Sequence, residues 1–149
     1  MSTTRVGSRL RAQVLEDAGG RCGYCRSSEE ITGAPLEIEH VVPKALGGPT
    51  RRDNLWAALR QCNTLKSDRI EAVDPATGRV VPFFNPRRQV WAEHFARIEG
   101  GARIAGQTPT GRATVAALDL NRLLLVQARQ RWIAVGWHPP DELSIAPDR

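Results

Sequence analysis

Disulfide-built folds need cysteine, and this 149-residue chain has three. An odd, small number of thiols behind an opening (MSTTRVGSRLRAQVLEDAGG) that lacks the apolar run of a signal peptide excludes a disulfide framework and leaves thiol or metal chemistry. No later apolar stretch is long enough to cross a bilayer, so the expectation is a cytoplasmic protein. Repeats and low-complexity segments are also missing, and 41% hydrophobic with 25% charged residues excludes a disordered chain. The length suits one compact domain with a modest core. Lysine is scarce: Lys44 and Lys66 stand against 19 arginines. The net charge of +5 and a pI near 9.8 favour a polyanionic partner, and arginine's bidentate grip on phosphate fits that partner, although a GC-rich genome explains the arginine bias equally well.

What is present has a readable order. Val6, Leu10, Val14, Leu15 and Ala18 recur at helical spacing across residues 5–18, and Gly19-Gly20 supplies a stop. RCGYCRSS, residues 21–28, reads as a tight Cys-x-x-Cys turn, followed by a loop. Leu36, Ile38 and His40 alternate with Glu37, Glu39 and Val41, which predicts a short strand running into the histidine before Pro43 ends it. After a loop at 44–53, residues 54–59 predict a second strand, and NTLKSDRIEAV from Asn63 predicts a helix with Asn63 at its start and Lys66 on its first turn. Val80 and Val81 read as a small strand. Asn85-Pro86 predicts the start of a helix carrying Val90, Trp91, His94, Phe95 and Ile98. Residues 102–111 read as strand or turn, and helices are expected over 110–118 and 121–135, the last capped by Asn121 and presenting Leu124, Ala128 and Trp132. The tail from His138 is expected to be loose.

With only three histidines in the chain, His40 beside Glu39 calls for explanation. Alone, such a pair is most simply a core histidine held by a carboxylate. Here it is followed by Asn54 and by Cys62-Asn63-Thr64-Leu65-Lys66, which brings a base, a carboxylate, two amides and a cation into one β-loop-β-α frame. With Cys-x-x-Cys at 22–25, IEHVVPKALGG at 38–48, DNL at 53–55 and CNTLKSD at 62–68, the segment resembles the HNH endonuclease family, whose ββα-metal core begins with a strand ending in Asp/Glu-His.

The resemblance implies an α+β fold: an N-terminal helix over 1–20, an HNH ββα-metal core over 21–72, and a C-terminal helical extension over 73–149 packed on it. It implies a metal-dependent endonuclease that hydrolyses phosphodiester bonds in DNA, by nicking or double-strand cleavage, acting as monomer or homodimer. His40 would be the general base, Glu39 and Asn63 the ligands of one Mg²⁺ or Mn²⁺, and Asn54 the amide that orients the histidine and stiffens the loop. Oxygen donors suit those hard cations. Lys66 would meet the scissile phosphate, with a solvated helix lysine as the alternative; Arg51, Arg52, Arg60 and Arg69 would follow the nucleic-acid backbone. Many relatives close a structural zinc with two Cys-x-x-Cys pairs. Here the second pair reads Leu59-Arg60-Gln61-Cys62. Cys22, Cys25 and Cys62 can hold zinc only with a water, His94 or His138 as fourth ligand, and the favoured expectation is a degenerate site with Leu59 packed where a ligand stood. The rival readings are a catalytically inactive nucleic-acid-binding module that retains the fold, and a zinc-knuckle interaction domain.

Overall fold

The computed structural model describes residues 6–140. Helix α1 (Ser8–Asp17) ends where Gly19 and Gly20 take positive φ, and its Val14 is fully buried. The chain then folds back through the Cys-x-x-Cys turn, closed by a bridge between Arg21 and Ser28. Gly23 sits in that turn because any Cβ there would lie 2.4 Å from Trp56. The segment expected to be a plain loop carries a single turn of helix, α2 (Glu29–Thr32), capped by the Ser28 hydroxyl, which accepts from the Ile31 amide.

Strands β1 (Glu37–His40) and β2 (Leu55–Ala58) pair antiparallel in the register Glu37 with Ala58 and His40 with Leu55. The loop between them contains two 3₁₀ turns, Lys44–Leu46 and Arg52–Asn54. Helix α3 (Arg60–Lys66) follows at once. It corrects the sequence expectation twice: Leu59 is its N-cap, so Asn63 lies mid-helix, and it stops at Lys66, so Lys66 is its last residue, not part of its first turn. Beyond it β3 (Glu71–Val73) pairs with β4 (Val80–Pro82) in place of further helix. The register there matches Val73 with Val80, an apolar pairing that suits a strand.

The helix expected from Asn85 shrinks to one turn, α4 (Trp91–His94), and the chain straightens into β5 (Phe95–Ile98), which pairs with β6 (Arg103–Gly106). Gly100 and Gly101, both at positive φ, turn that hairpin instead of ending a helix. Helix α5 (Pro109–Ala117) begins at the Thr108 cap, and α6 (Leu123–Ala134) begins at Arg122. Asn121 does not cap α6: its amide accepts from the Ile104 N–H and donates to the Ile104 carbonyl, tying the helix approach to β6. Leu124 is 78% exposed and takes no part in the core. The start of the tail is docked, since His138 is buried against the Gly101 carbonyl; residues 141–149 lie outside the described residues.

One hydrophobic cluster joins these parts. It contains the three cysteines, Tyr24 and Trp56 from the ββα segment together with Phe84, Trp91, Phe95, Leu120 and Leu125 from later elements, and Trp132 packs against it. Asp74 fixes the β3–β4 hairpin to α5 through a bidentate pair with Arg112, both bonds 2.9 Å. The result is the expected α+β architecture, with three two-stranded antiparallel sheets among the helices of the described residues. No helix among the described residues is long and apolar enough to cross a membrane.

Candidate active site

Alternation along β1 turns Glu37 and Glu39 to the same face, the face α3 packs on. A two-residue step along the strand is matched by a three-residue step along the helix, so Glu37 meets Asn63 and Glu39 meets Lys66. An open groove of about 890 Å³ results, whose walls include Glu39, His40, Lys44, Asn63, Ser67 and Asp68.

Glu39 is buried. Its Oε1 accepts the Tyr24 hydroxyl at 2.8 Å and lies 3.5 Å from Lys66 Nζ. Its Oε2 is buried without a partner. Burial raises the Glu39 carboxyl above the ordinary range, against the pull of Lys66 and Tyr24 in the other direction. A buried carboxylate oxygen left unpaired in a groove that also holds an amide and a histidine has the donor chemistry of a hard-cation site.

His40 is half-buried, and its Nε2 meets the Thr50 hydroxyl at 2.8 Å. Burial, then the charges of Lys44 and Lys66, lowers its pKa, which favours the neutral imidazole that can take up a proton. Asn63 donates through Nδ2 to Glu37 Oε1 at 2.9 Å.

Lys66, expected at the phosphate, and Asn54, expected to orient His40 and stiffen the loop, are both buried. Lys66 is 2% exposed and donates to the Val41 carbonyl at 3.0 Å as well as facing Glu39, so it lies beneath the strand and not at a phosphate. Asn54 is also buried: its amide accepts from the Val42 N–H and donates to the carbonyls of Val42 and Pro49. It closes the loop that leads to Thr50, and its side-chain hydrogen bonds go to Val42 and Pro49 rather than to His40. Gly48 completes that closure, since a Cβ there would lie 1.7 Å from the Val42 carbonyl oxygen.

The arginines divide. Arg51 and Arg60 are exposed, with only loose pairings to Asp53 (3.6 Å) and Glu37 (3.9 Å). Arg52 is held by Asp17 in a bidentate pair at 2.9 and 2.7 Å, and Arg87 joins the same carboxylate. These guanidiniums hold the Asp17 carboxyl down at about 2. Arg69 folds back onto the carbonyls of Leu65 and Lys66 and over the Phe83 ring, closing the C-terminus of α3. Arg52 and Arg69 are therefore held by contacts within the fold, whereas Arg51 and Arg60 are not tied down in this way.

Cys22, Cys25 and Cys62 do converge, with their sulfurs within 4.8 Å of one another and all three buried. Among the described residues no fourth His, Cys, Asp or Glu joins them. His94 bonds Thr108 and His138 bonds Gly101, so neither completes the set. Leu59 packs against the surrounding apolar cluster, and the Arg122 guanidinium stands beside Cys62, both terminal nitrogens 3.8 Å from its sulfur.

Tyr24 and Thr50 escaped the sequence reading. Tyr24 could have been suspected as the one tyrosine, set inside the Cys-x-x-Cys turn; nothing singles out Thr50 before the loop is folded.

Residues 22–69 match the family model of the HNH endonuclease. This segment is an HNH domain. The match runs from the first cysteine of the turn to the arginine that closes α3, and so takes in every residue of the groove described above. No curated protein and no solved structure matches the chain. The HNH domain ties the chain to nuclease-type action on nucleic acid.

Proposed function

We propose that the protein is a metal-dependent endonuclease that hydrolyses phosphodiester bonds in DNA, with His40 as general base. The observation that carries this reading is the groove in which the unpaired Glu39 Oε2, the Asn63 amide and the His40 imidazole stand together. Glu39 and Asn63 are the residues that would hold Mg²⁺ or Mn²⁺, which when bound neutralises charge building on the phosphate oxygens. Tyr24 and Lys66 occupy the other carboxylate oxygen and keep Glu39 in one orientation. Thr50 holds Nε2 and leaves Nδ1 of His40 to take the proton from the attacking water. Arg51 and Arg60 bring positive charge to the exposed surface flanking this segment and draw the backbone in.

Among the described residues the cysteine trio has three protein ligands, one short of the closed four-ligand site of structural zinc. We propose that it serves as core: Leu59 fills the apolar side and Arg122 lies against Cys62.

Supercoiled plasmid incubated with the full chain tests the activity. Nicked or linear product is expected with Mg²⁺ or Mn²⁺ and none with EDTA. DNA that is shifted in a gel but stays intact with either metal would replace this reading with that of a binding module retaining the fold.

A further inference from the structure

We infer that Glu37 sets the direction of the Asn63 side-chain amide, and so decides whether Asn63 presents oxygen or nitrogen to the groove. The inference rests on the reading of Asn63 as a cation ligand.

An amide side chain has two edges, of which one accepts and the other donates, and the torsion that exchanges them is broad and nearly two-fold. Asn63 sits mid-helix, where α3 alone does nothing to choose between the edges. An ionised carboxylate only accepts. With Glu37 Oε1 at 2.9 Å, Asn63 must offer its NH₂, and its Oδ1 is then the edge turned away from Glu37. Glu37 is the residue two before Glu39 on the same face of β1, so the strand supplies the candidate ligand Glu39 and the group that aims the other ligand. Arg60, one helical turn before Asn63, flanks the second oxygen of Glu37 at 3.9 Å. Without Glu37 the amide can turn its NH₂ toward the cation, where it repels. Groups that orient a metal ligand in this way are worth about 10- to 100-fold in metal affinity. Glu37 is thus a positioning residue.

The test is Mn²⁺ binding to the full chain without nucleic acid, read from the free-ion electron paramagnetic resonance signal, with folding checked by circular dichroism. Asn63→Ala is expected to weaken binding and Glu37→Ala to weaken it about 10- to 100-fold. Glu37→Gln, whose carbonyl still accepts from Asn63, is expected to stay within about threefold of native. If Glu37→Gln loses as much as Glu37→Ala, the carboxylate acts by charge or as a ligand and the inference is overturned. If Asn63→Ala weakens binding and Glu37→Ala does not, only this inference fails. Unchanged binding in Asn63→Ala would remove the ligand reading beneath it as well.

Discussion

Lys66 lies within the HNH segment, yet the fold buries it. It is the only lysine that the fold buries, and its charge is set against the buried Glu39 and the carbonyls of His40 and Val41. Removing one member of such a pair leaves the other charge uncompensated, so Lys66→Met is expected to cost about 3–5 kcal/mol in urea unfolding. A lysine that met phosphate from the surface would lower turnover while leaving stability within about 0.5 kcal/mol. The same burial explains why the lysine was misread from sequence. Its spacing from Asn63 is visible there, but whether a helix residue points out or in depends on where the helix starts, and α3 starts three residues before the polar residue that looked like its cap. That His40, Glu39 and Asn63 share one groove was legible from their types and order; Tyr24 and Thr50 were not legible, because their contacts exist only across the fold.

Elements were legible where one local signal dominated. Apolar alternation before Pro43 marked β1, and Gly19-Gly20 marked the end of α1. The failures came where a tertiary partner decided: Phe95 to Ile98 carry apolar residues at a spacing that also suits a helix, yet they pair with β6, and the two glycines after them serve a hairpin. Asn121 looked like a cap because of its type and position, but Ile104 claims its amide. At the end of α3, Ser67 takes φ 54° and ψ −137°, a region close to one that only glycine enters without strain. Ser67→Gly is therefore expected to stabilise the protein by about 1 kcal/mol in thermal unfolding, the relief of strain exceeding the added chain entropy. No gain, or a loss, would mean that the Ser67 side chain contributes to the groove wall more than its backbone costs.

For the whole molecule, the cysteine trio and the later elements answer the same need. Small zinc modules draw much of their folding energy from the metal. In the reading proposed above the later elements take over that share: the three thiols join a cluster that includes Phe84, Trp91, Phe95 and Leu125, and Arg122 stands beside Cys62. Elemental analysis of the purified native protein is expected to find well under one zinc per chain, and Leu59→Cys, which restores the missing thiol, to bring it to about one. Stoichiometric zinc in the native protein would contradict the reading of the trio as core. The proposed hydrolysis depends on His40. The most direct measurement is the rate of plasmid cleavage in Mg²⁺ or Mn²⁺ by native protein and by His40→Ala, with Mn²⁺ and DNA binding compared in parallel. A fall of about 10²- to 10⁴-fold in rate with both binding affinities retained is the predicted result; metal-dependent cleavage by His40→Ala at the native rate would contradict it.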